Sequence, residues 1–425
     1  MYSKDFKSHA NHGIEQVYSR NRSLPLPRLL LFIMTTKTAL QRDLDRFFKS
    51  IGKKNYNIRE VTKGALSQAR AQLNPQAFKR LNTLANDKFY TSTEVKLWHA
   101  YRLVSVDGTR LMLPKHETVK KEFGEHHFGP NSDSPRSMAI GSILYDTLNQ
   151  VCIDAQIAPY SSSEKELLHK HLDHVYDHDL LLLDRGYPSI ALFFLLTAKQ
   201  VQFCVRMKKD WWLDVKDFNK SEEQERIVSF RLPEKDKEQL KDYPDIQNGT
   251  IKCRLVKVSL DTGETEILCT SLLDQEKHPI KEFKELYHYR WQEEEAYKLL
   301  KSRIELEKFS GKTATAVKQD FFAKVFMMTM CAVFSHPIEE KIYKEYDQER
   351  NTKKRNKHQQ KINNTHAYAT LCDLIVPIFE HKKVQQGIKV FDDIVYRTKE
   401  IVRPNRSNPR NKKPKKLYHQ NYKPL

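Results

Sequence analysis

No two of the six cysteines, Cys152, Cys204, Cys253, Cys269, Cys331 and Cys372, stand at C-x-x-C spacing, and most fall in apolar runs. That argues against a disulfide scaffold or a zinc ribbon and suits reduced core residues of a cytosolic protein. Long apolar runs are also missing. The longest, at residues 29–34 and 321–334, are too short or too interrupted for the roughly 20 residues that a bilayer span needs. No cleavable signal, no H-E-x-x-H and no internal repeat is visible. Acidic residues are outnumbered: 54 Asp+Glu face 73 Lys+Arg, for a net charge of +19 and a pI near 9.4. A polyanion is therefore the expected partner, nucleic acid before any other, and no membrane partner is expected. With 425 residues, 39% of them hydrophobic, the chain can bury large cores in two to four structural units.

The pattern along the chain changes period twice. Up to about residue 99 the spacing is helical: RLLLFIM follows an extended LPLP, TALQRDLDRFFKSI carries an apolar stripe, and Thr62 can cap ALSQARAQL. Arg20, Arg22, Arg70 and Lys79 on such short helices fit a small DNA-reading bundle. From Tyr101 the spacing is that of strands. RLVSVDGTRLMLP reads as two runs around an Asp107-Gly108 turn, and a second hairpin is expected about Asn149. A helix from the 161–164 SSSE start, the buried strand DLLLLD ending at Asp184, a helix over 189–200 and a strand over 202–207 follow. Hairpins, then helix, strand, helix, strand predict an α/β fold: an RNase H-like mixed sheet flanked by helices.

That alternation breaks at residues 208–275, which hold short strands and charged connections and read as a β-rich insertion; Asp184 and Glu294 are 294 − 184 = 110 positions apart. The expected organisation is a helical DNA-binding region (1–99), the first part of an RNase H-like core (100–207), the insertion (208–275), the second part of the core (276–336) and a helical, basic C-terminal region (337–425). A basic run stands at 352–361, and the Pro-broken, very basic 403–416 tail suits a disordered arm that tracks phosphates.

The stretch YHYRWQEEEAYKLLK, residues 287–301, is rich in helix formers and lacks Gly and Pro. On one helix at about 100° per residue, Tyr287, Arg290, Glu294 and Lys301 share a face. Leu286, Tyr289, Ala296, Leu300 and Ile304 gather opposite, with Glu293 among them. Arg290 offers a planar fork for phosphate, Lys301 a point charge, and Tyr287 a hydroxyl or a stacking ring.

The spacing Y-x2-R-x3-E-x6-K resembles the YREK signature of DDE transposases from bacterial insertion sequences, in the insertion-sequence-4 family. VDGT at Asp107, LLLDRGY at Asp184, LCTSLL at 268–273 and the Arg290-Trp291 pair resemble the same family in the same order. The N-terminal SRNRSLPLPRLLLFIM and TKGALSQARAQL also resemble its end-binding region. The resemblance implies a catalytic and metal-binding triad of Asp107, Asp184 and Glu294, with Tyr287, Arg290 and Lys301 on the DNA phosphates. It also implies an insertion between the second aspartate and the glutamate. Some members stack an extruded base on a Trp just before the LLTS-like strand; Glu266 holds that position here.

Phosphodiester cleavage needs charge stabilised on both entering and leaving oxygens. Two Mg²⁺ ions, for which Mn²⁺ can substitute, would do so with only a few carboxylate ligands. The function expected is cut-and-paste DNA transposition: cleavage at terminal inverted repeats and strand transfer into target DNA, by a homodimer in the cytoplasm at the nucleoid. The alternatives are an RNase H-like structure-specific nuclease and an inactive DNA-binding relic. A zinc site among His169, His171, His174 and His178 with Asp173, Asp177 and Asp179 would lack cysteine partners, and that run reads as a polar helix end.

Overall fold

A computed structural model describes residues 1, 3–11, 24–37, 39–127, 135–260, 263–350 and 358–402, without the side chains of 349 and 350. Arg20, Arg22, most of the 352–361 run and the 403–416 arm lie outside the described residues. In chain order come α1 (Lys4–Ala10), α2 (Leu26–Thr35), α3 (Leu40–Gly52), α4 (Lys63–Ala71), α5 (Gln76–Ser92), β1 (Arg102–Met112), α6 (Glu117–Phe123), β2 (Glu125–His126), β3 (Arg136–Asp146) and β4 (Val151–Pro159). Then follow α7 (Glu164–His171), β5 (Asp179–Leu183), α8 (Ile190–Ala198), β6 (Gln202–Met207), α9 (Leu213–Lys220), β7 (Glu225–Arg231), β8 (Thr250–Ser259) and β9 (Thr265–Thr270). The last elements are α10 (Phe283–His288), α11 (Trp291–Lys298), α12 (Ala314–Arg350), β10 (Gln360–Lys361), α13 (Asn364–Phe379), α14 (Val384–Arg397) and β11 (Glu400–Ile401).

Two compact units result. One gathers residues 1–91, 111–139 and 298–425; the other gathers 92–110 and 140–297. Residues 208–275 belong to the same unit as the strands that precede them.

The second unit is built on a sheet in the order β4-β3-β1-β5-β6-β9-β8-β7. Strand β5 is parallel to β1 and β6 is parallel to β5, each joined through helices, whereas β6 to β9 to β8 to β7 run antiparallel. β1, β3 and β4 form a meander: the Thr147 amide donates to Leu103 O at 3.0 Å, and the turn before β4 is fixed by Asp146, which accepts from the Leu148 and Asn149 amides. Three antiparallel strands with two parallel ones added beyond β1 are the RNase H-like order that the sequence predicts. The strands of 208–275 extend that sheet edgewise.

Helix starts follow their caps. The Ser163 hydroxyl accepts from the Glu166 amide while the Glu166 carboxylate accepts from the Ser163 amide, a complete capping box for α7; Ser189 caps α8. α8 (IALFFLLTA) buries Ala191, Leu192, Phe193, Phe194 and Leu196, and with Val104, Val106, Leu181 and Leu183 these form one core of the sheet. Leu103, Leu180, Leu182, Cys204 and Leu268 pack on the other face against Phe283, Leu286 and Tyr287 of α10.

Three local expectations need correction. Asp107-Gly108 is no hairpin turn: β1 runs straight through it, since its neighbours β3 and β5 pair on both sides, and neither residue has the positive φ that the tight turn requires. Residues 287–301 are not one helix. The Arg290 amide donates back three residues to Tyr287 O and the Glu293 amide to Arg290 O, which tightens the turn between α10 and α11; a π-helical turn at Leu299–Arg303 then follows. Finally, the segment boundary expected after residue 336 is not the end of an element: α12 continues through Pro337. The helix is therefore long and apolar enough to cross a membrane, but 72% of its most apolar window is buried inside the protein. It reads as the central helix of the first unit.

Within that first unit α12 packs on α2, α4, α13 and α14. Thr62 accepts from the Ala65 amide at 3.2 Å and starts α4, as the sequence suggests. Arg70, expected on a DNA-reading surface, is buried instead. Its guanidinium donates to Gln319 Oε1 (2.8 Å), Asp320 Oδ1 (2.8 Å), Ala316 O (3.0 Å) and the Ser310 hydroxyl, and Asp320 also accepts from the Ser310 amide. Lys79 is half-buried, its ammonium 5.6 Å from the Phe322 ring.

Candidate active site

The sheet brings the two aspartates together by register. β1 pairs Arg102 with Asp179 and Ser105 with Leu182, an offset of 179 − 102 = 77; the same offset carries Asp107 to 107 + 77 = 184. Side chains alternate faces along a strand, so Asp107 continues the face of Leu103, and Asp184 that of Leu180 and Leu182. This is the face covered by α10. Asp184 follows the last residue of a strand whose five residues are all buried, so its carboxylate emerges where the apolar support ends.

α10 and α11 lie over this end of the sheet. The Tyr287 side chain is buried and its hydroxyl donates to Leu183 O at 3.3 Å, so it holds the helix against the residue before Asp184 instead of standing open to phosphate. Arg290 is 5% exposed; its guanidinium lies 5.6 Å from the Tyr287 ring centroid and donates to Glu294 Oε1 at 3.1 Å. Burial works against that charge, but Tyr287, Asp184 and Glu294 more than restore it. Glu294 is half-buried, and Trp291 is exposed with its ring stacked 6.1 Å from that of His288. Lys301 lies in the other unit, half-buried, where burial lowers its pKa and Glu307 partly compensates.

The face expected to be inert also carries a carboxyl group. Glu293 is fully buried, and burial pushes its pKa far up with the Asp107 charge adding to it, while Ser105, Arg290 and the Asp107 backbone oppose this. Burial likewise lifts Asp107 to about 6; the Gly108 amide, which donates to Asp107 Oδ1 at 2.8 Å, and Arg290 oppose this, while Glu164 and Asp184 add to it. The Tyr297 hydroxyl donates to Asp107 O at 2.7 Å and fixes that segment of β1. Two groups at this site are not legible in the sequence. Glu164 reads only as part of a helix start and Tyr187 only as part of LLLDRGY, because neither local pattern signals a distant aspartate.

These donors are all hard oxygens, as Mg²⁺ or Mn²⁺ prefers. Asp184 Oδ1 is buried without a hydrogen-bond partner, so a cation here would satisfy an oxygen that the protein leaves orphaned. The chemistry of the donors thus suits a divalent cation. Among the described residues no three His, Cys, Asp or Glu side chains converge closely enough to enclose one; Arg290 provides the positive charge among the carboxylates.

The histidine-rich segment holds no such site. His171 is fully buried, with Nδ1 2.8 Å from Asp154 Oδ2 and Nε2 3.0 Å from the Ser142 hydroxyl, and so ties α7 to the sheet. Beyond Asp184 a cleft of about 500 Å³ is lined by Arg185, Arg206, Lys208, Trp211 and Glu266. Glu266 is buried and paired with Arg206 at 2.9 Å, whereas Trp211 is 46% exposed with the Lys208 and Lys165 ammonium groups 5.0 and 5.6 Å from its ring.

Paired aspartates at the end of an RNase H-like sheet, facing a helix that carries Arg and Glu, place the chain in a class, and its sequence agrees. Residues 98–331, more than half of the chain, match the family of the transposase DDE domain, and the chain belongs to that family. Among individual proteins it is similar to the transposase InsG for insertion sequence element IS4 of Escherichia coli (strain K12), with 23% identity over 278 residues, or 62% of this chain. The matched part spans 58% of that relative's length. A solved structure of a piggyBac transposase synaptic complex with hairpin DNA superposes with a TM-score of 0.43 at 8% identity, covering 92% of this chain and 80% of the other.

Proposed function

We propose that this chain is a DNA transposase of the YREK branch, which cuts at the terminal inverted repeats of its own element and joins the freed ends to target DNA. The observation that carries the reading is the shared offset that sets Asp107 opposite Asp184, with Arg290 and Glu294 delivered onto the same face by α11 and the turn before it. Family membership and the net charge of +19 support it. Two divalent cations, Mg²⁺ or in its place Mn²⁺, would be held by Asp107, Asp184 and Glu294, and when bound supply the charge stabilisation that the entering and leaving oxygens need.

The protein's own groups do the rest. Water adds to the phosphorus at the element end, and the 3′ oxygen leaves and takes up a proton. The new 3′-hydroxyl then adds to a target phosphodiester and displaces a target 3′ oxygen, so no covalent protein intermediate arises. Arg290, held between Tyr287 and Glu294, presents its fork towards the carboxylates and orients a phosphate there, and Lys301 adds a second phosphate contact. Tyr287 acts through position, fixing α10 to β5. The protein works as a homodimer on two ends at the nucleoid, and the helices before residue 99 contact the inverted repeats. The test is to incubate the full chain and Mg²⁺ with DNA carrying the repeats that flank its gene. Cleavage with a 3′-hydroxyl at the element end, followed by joined target products, is expected. Cutting at structured DNA regardless of those repeats would instead mark a structure-specific nuclease.

A further inference from the structure

The first unit contains a cavity of about 190 Å³ whose chemistry the proposed reaction does not use. Lys37 reaches it from the end of α2, Arg303 from the π-helical turn, Lys308 from the loop that follows, Lys324 from α12, and Thr365 and Tyr368 from the first two turns of α13. Four of these residues are cations. The one carboxylate among the lining residues, Glu305, already accepts from Lys308 Nζ at 2.5 Å.

Lys324 is the residue that asks for a ligand. It is 7% exposed, deep burial for a lysine. Its ammonium donates to two carbonyls, Thr36 O at 3.0 Å and Met34 O at 3.3 Å, and among the described residues no salt bridge compensates its charge. An ammonium has three N–H donors, so one is left for a group in the cavity. Burial lowers the Lys324 pKa, and Cys372, Asp320 and Asp43 restore it only in part. A buried charge without an opposite one is costly, and an anion in the cavity would provide it.

Tyr368 adds a second, independent sign. It is 8% exposed, and its buried hydroxyl has no nitrogen or oxygen partner, only the Cys372 thiol beside it. Sulfur is a weak acceptor, so a second donor lining the cavity lacks a good one. The cavity also meets the N-terminal turn of α13 at Thr365, where free backbone amides favour negative charge. A phosphate group carries both the charge and the several acceptor oxygens that these donors need.

We propose that this cavity is a phosphate-binding site, in which Lys324 and Tyr368 hold phosphate oxygens from the buried side and Arg303 from the exposed side. The phosphate is one of a DNA backbone or a free one; the chemistry is the same. The site is built wholly from residues of the first unit and uses none of Asp107, Asp184 and Glu294, so it stands or falls independently of the function proposed above.

Titration of the full chain with inorganic phosphate at constant ionic strength, followed by the phosphorus magnetic resonance, tests the site. Saturable binding is expected in the wild type, weakened about tenfold or more in Lys324→Met and in Arg303→Gln, since each removes a charge-assisted contact. Lys121→Gln, which removes an exposed charge from α6 of the same unit, should bind as the wild type does. If Lys324→Met does not fold, Arg303→Gln, at an exposed position, still reads the site. The salt dependence of affinity for a random-sequence duplex separates the two sources. A slope reduced by about 0.9 in Arg303→Gln assigns the site to a backbone phosphate of DNA, whereas an unchanged slope with phosphate binding weakened assigns it to free phosphate. No saturable phosphate binding by the wild type, or wild-type binding by both Lys324→Met and Arg303→Gln, would overturn the site and leave the transposase reading standing.

Discussion

Replacing Arg290 by Lys separates charge from geometry at the proposed site. In the structure the guanidinium is 5% exposed, lies over the Tyr287 ring, and reaches Glu294 at 3.1 Å while also acting on Asp107 and Asp184. A lysine keeps the positive charge but has no planar fork, so it cannot hold Glu294 and a phosphate in one fixed geometry. The Glu294 side chain is 34% exposed, and water screens the pair, so the loss of stability should stay near 1 kcal/mol. Catalysis should suffer more, because a misplacement of about 1 Å costs on the order of 10²-fold in rate. Single-turnover cleavage of pre-bound ends is the assay: the expected result is a rate about 10²-fold lower, with end affinity within about threefold of wild type. Lys298→Ala, at the exposed end of α11, is the control and should matter far less. Equal losses for the two variants would mean that this helix acts through general charge, and the positioning argument would be wrong.

Arg70→Met should destabilise the first unit by about 3–5 kcal/mol, because it removes the cation that compensates the buried Asp320 charge, even though the Ser310 amide and hydroxyl still donate to that carboxylate; chemical denaturation measures this, and a change below 1 kcal/mol would show that the network contributes little. Gly387→Ala should lower the melting temperature, since a Cβ there would fall 2.4 Å from Ile378 Cγ1 between α13 and α14, an overpacking worth about 1–3 kcal/mol. Deleting residues 403–416, which carry a run of Lys and Arg, should weaken binding to any DNA and flatten its salt dependence, as phosphate contacts release counterions irrespective of sequence; titration at several salt concentrations with an unchanged slope would exclude the arm from the interface.

Much of the sheet was legible because its strands announce themselves. An unbroken LLLL run ending in Asp184 reads as a buried strand, and the capping box before α7 reads as a helix start. Asp107-Gly108 misled, since a dipeptide favoured in hairpins also serves where a strand must let another group approach, and only the fold shows Glu164 doing so. The helix over 287–301 was right in type but not in continuity. Helical spacing put Tyr287 and Arg290 on an open face, whereas tertiary packing buries both and breaks the axis between α10 and α11. Arg70 shows the same limit in the first unit: a basic residue on an amphipathic helix looks like a surface charge until Asp320, 250 residues away, turns out to be its partner. Register could not be read at all, because nothing local sets the offset of 77 between β1 and β5.

The most direct measurement is cleavage of the cognate end by Asp184→Asn, which keeps the shape of the side chain and removes its charge. In Mg²⁺ the account predicts a loss of at least about 10³-fold in the single-turnover rate, with end binding retained, because the carboxylate holds cations and not DNA. Asp107→Asn and Glu294→Gln should behave alike, and Ca²⁺ should support assembly without turnover in the wild type. Cleavage by Asp184→Asn at close to the wild-type rate would contradict the account at its centre.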